Sequence, residues 1–340
     1  MDTQKNTNIS LEHIQANRQL VDELSVHKLI SPEAREYALN ILYPAKNWGL
    51  WASRLLLVLG VSLVLAGIIY FFAFNWNEIT PAMKLGSVQL AILVCIAAAY
   101  FQKLEQLPGK VLLLGASVLV GVFLAVFGQV YQTGADAYNL FIMWAALILP
   151  WVIITEFAAL WVVWLVIANL ALNLYWSQAA QPERDMEFMI ISYLAIFNSL
   201  FLTLREYFVS KQTKWLEGNW TRVILVVPIL ILAMIAGITY VVDSGHSNQA
   251  INISALISVI ILVVFYVIYR FKLPDMWSLS ATILSGCIIV EVAILRIVTD
   301  NFSHTNSILF LFMGCITLGI FTLAVIKLRS IGKEMGVKHV

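Results

Sequence analysis

Ten long apolar stretches occupy most of the chain after residue 50, and this pattern constrains the fold more than any other feature. A bilayer core roughly 30 Å thick needs about 20 apolar residues per crossing helix. The sequence predicts spans at Trp51–Phe74, Met83–Phe101, Lys110–Gly128, Asn139–Ile154, Phe157–Tyr175, Met186–Leu204, Arg222–Val242, Ile251–Tyr269, Trp277–Val298 and Asn306–Ile326. With 61% of its 340 residues apolar and only 12% charged, the chain has more apolar surface than a soluble core can bury. We therefore predict an all-α, polytopic integral membrane helix bundle of about ten transmembrane helices, surrounded by a lipid bilayer.

Lys and Arg residues are distributed unevenly between the two sides of this predicted bundle. With a cytoplasmic N-terminus, only Lys84, Arg184 and Arg296 of the 21 Lys and Arg residues lie outside, as the positive-inside rule requires. The fourth and fifth spans meet at Thr155-Glu156, a turn without Gly or Pro. Merging these two spans would move the basic segment 205–222 to the outside, so ten spans are favoured. The first 45 residues are polar and show no signal peptide, which predicts an inner-membrane protein with both termini in the cytoplasm.

Residues 1–46 predict a short cytoplasmic helical hairpin that precedes a membrane domain of residues 47–340. Apolar residues recur at helical spacing in two groups, Leu11, Ile14, Leu20, Val21 and Leu24, then Ala34, Tyr37, Ala38, Ile41 and Leu42. Ser31-Pro32 favours a helix start, with Ser31 as the N-cap. Because so small a pair cannot bury enough apolar surface to be stable alone, we expect it to dock. Its site is either the inner face of the membrane domain or a separate membrane or cytoplasmic protein.

The sequence lacks the motifs of common catalytic, cofactor and metal sites. Cys95, Cys287 and Cys315 lie in separate predicted helices without CxxC spacing, and the five His residues form no HExxH motif. GxxxxGK[ST], GxGxxG and GxSxG are also missing. We therefore predict no catalytic residues, no cofactor and no metal. A net charge of +1 gives no reason to expect a nucleic-acid partner.

The segment between the third and fourth spans, FGQVYQTGADAY at 127–138, is the most distinctive local string. Gln129, Gln132 and Asp136 bring donors and acceptors to the predicted outer end of the third helix, and two nearby glycines permit irregular backbone. Irregular backbone near membrane depth persists where it is buried in protein or lines water. Gln129, Gln132 and Asp136 are therefore a candidate outer binding site, or else part of a hydrogen-bonded turn that clamps helices three and four.

Glu291 lies inside the ninth predicted span, at a depth of about 10 Å from its outer end. A carboxyl group in hydrocarbon is costly enough that it should face protein or water, so Glu291 is the candidate intramembrane functional residue. Arg296 lies on another face of the helix and is a poor partner. Glu291 supports either proton coupling or a protonated carboxyl group bonded to another helix. The other buried amides, Asn169 and Asn173 in helix five and Asn198 in helix six, predict interhelical hydrogen bonds.

Three separated strings carry a resemblance to a known family: LVDELSVHKLISPEA at 20–34, GQVYQTGAD at 128–136 and WAALILP at 144–150. In this order they resemble the bacterial predicted membrane proteins grouped as domain of unknown function 2157. The resemblance covers roughly the first 155 residues. It implies a membrane architecture and no particular activity.

Three classes of function fit these observations. The first is a membrane scaffold or accessory subunit that recruits a partner through residues 1–46. The second is a small-molecule or ion transporter, proton-coupled through Glu291. A membrane enzyme is the third and is favoured least, because no cluster of His, Asp and Glu faces one interface.

Overall fold

The structure, a computed structural model, describes residues 18–27, 29–42, 48–74, 78–243, 248–301 and 307–337. Within these ranges it is built from α-helices and contains no strand. The helices are α1 (Arg18–Val26), α2 (Pro32–Leu42), α3 (Trp48–Phe74), α4 (Pro81–Phe101), α5 (Leu107–Val130), α6 (Ala137–Thr155), α7 (Ala158–Tyr175), α8 (Met189–Ser210), α9 (Asn219–Val242), α10 (Gln249–Val267), α11 (Met276–Asn301) and α12 (Ser307–Val337). A π-helical turn extends α7 over Trp176–Ala180, and another extends α10 over Ile268–Lys272. Ten helices, α3 to α12, are long and apolar enough to cross a bilayer, which confirms the predicted all-α polytopic bundle.

The first of two compact units comprises Met1–Ile79 and contains α1, α2 and α3. The predicted start of the second helix is confirmed, because the Ser31 hydroxyl accepts a hydrogen bond of 3.1 Å from the Ala34 amide. An ion pair of 2.7 Å between Arg35 Nη2 and Asp22 Oδ1 joins α2 to α1. The predicted helical residues Leu11 and Ile14 lie outside the described residues.

The second unit comprises Thr80–Val340 and contains α4 to α12. Helices that follow one another in the chain pack as neighbours, and α9 contacts α8, α10 and α11. The predicted break between spans four and five is confirmed. Glu156 takes a left-handed conformation, with φ of 46°, between the end of α6 and the start of α7. Lys110 Nζ at the start of α5 donates a hydrogen bond of 3.1 Å to the Glu156 carbonyl oxygen, so this turn is also held by α5.

Close approach of α5 and α6 depends on Gly121. A Cβ atom at this position would overlap the indole ring of Trp144 on α6. The same indole donates a hydrogen bond of 2.7 Å from Nε1 to the Ser117 carbonyl oxygen of α5. Because lipid provides little hydrophobic drive for helix association, van der Waals packing of this kind is a main source of stability.

Interhelical hydrogen bonds join α8 to α7 and to α10. Asn169 on α7 and Asn198 on α8 exchange amide hydrogen bonds of 3.1 and 2.6 Å, which confirms the predicted interhelical role of both. The exposed Asn173 makes no such bond within the described residues. Ser192 on α8 donates a hydrogen bond of 2.7 Å to Ser254 on α10, and both residues are buried. Asn169, Asn198, Ser192 and Ser254 thus find partners on neighbouring helices.

Replacing Gly121 with Ala should lower the free energy of unfolding by about 1–3 kcal/mol, because the added methyl group overpacks the contact with Trp144. Gly115→Ala is the matched control in the same helix, since a Cβ there meets no atom within 4 Å. We expect it to be neutral or stabilising by up to about 1 kcal/mol. Unfolding of the detergent-purified variants measures both effects, and equal changes would contradict the close α5–α6 approach.

Candidate functional site

Glu291 on α11 contacts Thr317 on α12 at a distance of 2.5 Å between Oε1 and Oγ1. The Thr317 hydroxyl also lies 3.0 Å from the Met313 carbonyl oxygen one turn earlier. A hydroxyl has one hydrogen to donate. The Thr317 hydroxyl donates to Glu291 Oε1 or shares its hydrogen between this oxygen and the Met313 carbonyl oxygen. The half-buried carboxyl group can in this way join two candidate spans.

Arg296, the nearest cation along α11, does not pair with Glu291. Its Nε atom lies 2.7 Å from Oδ2 of Asp300, one turn further along the same helix. Both side chains are exposed enough for this pair to contribute little to stability. The helical geometry thus separates the two residues as the sequence predicts.

The three residues of the predicted outer site lie at separate positions along the α5–α6 connection. Gln129 is the penultimate residue of α5, Gln132 has φ of 44° beyond the helix, and Asp136 is the N-cap residue of α6. All three are exposed, and within the described residues their side chains make no hydrogen bond. The start of α6 is held instead by Gln178 of the π-helical turn after α7, whose Oε1 accepts from the Tyr138 amide at 3.1 Å. The outer site stays a prediction.

A network of buried and partly buried charges lies at the opposite end of the second unit. We call this end, which carries the α4–α5, α6–α7, α8–α9 and α10–α11 connections, the basic end. The Glu206 carboxylate, at the end of α8, accepts hydrogen bonds from two guanidinium groups. Arg205 Nη1 lies 2.8 Å from Oε1, and Arg222 on α9 donates to both carboxylate oxygens, at 2.8 and 3.0 Å. Bidentate pairs of this kind are strong and orient both partners.

Arg205 attaches this network to the backbone of the α8–α9 connection. The side chain is only 4% exposed. Its Nη2 atom donates to the carbonyl oxygens of Leu216 and Gly218, at 2.9 and 3.2 Å, and its Nε atom donates to the Thr221 hydroxyl at 3.2 Å. The connection therefore wraps around one buried guanidinium group.

Asp275 extends the network to α11. Its Oδ1 atom lies 3.4 Å from Arg222 Nη1, and its Oδ2 atom accepts a hydrogen bond of 2.8 Å from the Ser278 amide in the first turn of α11. One carboxylate thus caps a helix and balances a cation. Arg222 also lies 5.9 Å from the ring centroid of the buried Tyr269. Together, two cations and two anions hold α8, α9 and α11 at one end.

Sequence reasoning missed this network because it treated Arg205 and Arg222 only as charges that set the orientation of the chain in the membrane. The structure instead pairs both with carboxylates. The available signal was a set of acidic residues, Glu206 and Asp275, at the same predicted span ends. The network is built for holding helices, since each charged group already has partners. Within the described residues, no group of three His, Cys, Asp or Glu side chains could hold a metal ion.

Replacing Glu206 with Gln should destabilise the protein by about 3–5 kcal/mol, because it leaves two nearly buried guanidinium groups without their shared countercharge. Glu334→Gln is the matched control at the same end. Glu334 pairs with Arg270 at 3.1 Å but is 61% exposed, so we expect a cost of about 1 kcal/mol or less. Unfolding curves in mixed micelles measure the free energy of unfolding of both variants. A loss for Glu206→Gln as small as that for Glu334→Gln would contradict a stabilising network.

Among the described residues, ten helices have the length and apolar composition of membrane spans, and they define a multi-span membrane protein. Residues 22–161 match the model of a family described as "Predicted membrane protein (DUF2157)". The match runs from α1 to the first turn of α7 and confirms the resemblance shown by the three sequence strings. No curated protein matches the chain, and no solved structure matches it.

Proposed function

We propose that this membrane protein is a scaffold or accessory subunit that recruits a protein partner through the α1–α2 hairpin, predicted to be cytoplasmic. The observation that carries the proposal is the set of large apolar side chains that the hairpin leaves exposed. Val26 is 78% exposed, Leu29 70%, Tyr37 70% and Ile41 62%. Several large apolar side chains exposed within one short segment, here residues 26–41, are a frequent sign of a protein contact surface. We call these four residues the hairpin face.

The two helices of the hairpin contact each other. Val21 on α1 is only 6% exposed, and the Asp22–Arg35 ion pair links the two helices. Tyr37 and Ile41 are four residues apart on α2, which places them on the same side of the helix. Such anchors suit a partner with an apolar helix or groove.

The intramembrane polar residues favour a structural role over transport. The Asn169–Asn198 and Ser192–Ser254 bonds each join two helices, and so does the Glu291–Thr317 contact. A transport path needs polar groups that face water or substrate. Side chains already committed to each other serve instead to hold the bundle together.

Replacing both Tyr37 and Ile41 with Ser should remove the partner that co-purifies with the full-length protein from native membranes, by at least about tenfold, because apolar contact area is lost. Glu36→Ser with Asn40→Ser is the matched control, since these exposed polar residues have the same spacing on the same helix. We expect this control to retain the partner. Quantitative mass spectrometry measures both, and a partner kept by both double variants would contradict the proposal.

Glu291→Gln tests the transport alternative in the same protein. A neutral amide keeps the size of the side chain and can still bond to Thr317, so we expect partner capture to be unchanged. We also expect reconstituted wild-type and variant proteins to show the same proton flux in liposomes. A wild-type flux that disappears in Glu291→Gln would favour the transporter over the scaffold.

A further inference from the structure

We propose that an acyl chain of a membrane phospholipid occupies a pocket between α7 and α8 at the basic end of the second unit. The pocket has a volume of about 400 Å³, within the range of about 300–1,000 Å³ that small-molecule sites occupy. Most of its lining side chains are apolar, among them Val162, Leu165, Phe201, Leu204, Phe208 and Leu225. The chemistry of this lining selects an apolar chain and calls for no particular head group.

The polar residues of the lining leave little for water to bind. The buried Arg205 donates to Glu206 and to backbone carbonyl oxygens, and the Thr221 hydroxyl lies 2.7 Å from the Gly218 carbonyl oxygen. The other two polar lining residues, Glu156 and Thr213, belong to the α6–α7 and α8–α9 connections at the helix ends. A water molecule needs about two to four polar partners. The apolar interior between the helices is therefore better filled by hydrocarbon.

The pocket opens toward the surface that the spans present to lipid. Ile153 on α6 and both Leu204 and Phe208 on α8 line the pocket and are also exposed. All three belong to candidate spans, whose surface lies in a bilayer core about 30 Å thick. Leu165 is seven residues beyond the first residue of α7, about 10 Å along the helix. The pocket thus extends from the helix ends to a depth at which acyl chains are its neighbours.

Helices α7 and α8 meet directly beyond the deep end of the pocket. Asn169 is one turn beyond Leu165, Asn198 is three residues before Phe201, and the two amides bond to each other. Nearer the basic end, the pocket separates the two helices. An empty space deprives its lining of dispersion contacts. An acyl chain that enters from the adjacent leaflet restores these contacts and buries no polar group, so the lipid completes the packing of α7 against α8.

Photo-crosslinking in phosphatidylcholine liposomes tests this inference on the full-length protein. The probe is a phosphatidylcholine with a diazirine in one acyl chain, and mass spectrometry identifies the labelled residues. In the wild type we expect labelling of Phe201 to exceed that of Val166 at least about fivefold. Val166 is exposed on α7 but does not line the pocket, so it reports ordinary contact with surrounding lipid.

Ile153→Trp narrows the opening at a residue that is 59% exposed and should lower the labelling of Phe201 at least about fivefold. Ile154→Trp is the matched control, because Ile154 is 66% exposed and lies outside the lining. We expect this control to be labelled as the wild type is.

Val162→Trp fills the pocket from inside and should also abolish the labelling of Phe201, with circular dichroism as the check that the bundle is folded. Equal labelling of Phe201 and Val166 in the wild type would overturn the site. Unchanged labelling in Ile153→Trp, or in a folded Val162→Trp protein, would overturn it as well. Labelling of Phe201 by a diazirine fatty acid but not by the phospholipid would overturn the phospholipid as the occupant.

Discussion

The absence of water from the hydrocarbon core of a bilayer is the constraint on which this structure depends. Every backbone N–H and C=O group there needs a partner within the protein, and a helix supplies it from the same segment. The ten candidate spans satisfy this requirement locally. Association of the helices then requires another source of stability, because lipid is as apolar as the side chains. Two such sources are present here: close packing of helices, as between Gly121 and Trp144, and interhelical hydrogen bonds, as between Asn169 and Asn198.

The basic end meets a different requirement, since here helices finish and their polar ends must be organised. Glu206 is central because it accepts from guanidinium groups on two helices, while Asp275 adds the start of a third. Removing a charged group from water costs free energy unless all of its partners are in place. This arrangement therefore fixes the relative positions of the end of α8 and the starts of α9 and α11. Arg205 and Leu216, whose carbonyl oxygen accepts from Arg205, also line an apolar pocket of about 400 Å³.

The proposed contact surface, the hairpin face, belongs to the first unit and offers apolar side chains to a protein partner. The proposed scaffold role requires a surface of this kind. The match to a family of predicted membrane proteins is compatible with this role and names no chemistry.

The sequence by itself determined the features that depend on neighbouring residues: the ten spans, the cap at Ser31 and the separation of Glu291 from Arg296 along one helix. It also indicated that Asn169 and Asn198 form interhelical bonds, though without showing that they bond to each other. Only the tertiary structure decided which distant groups meet. Glu206 with Arg222 and Glu291 with Thr317 both depend on helix packing. Hydropathy reflects the transfer of each segment into lipid, whereas these pairings arise from the relative rotation and depth of whole helices.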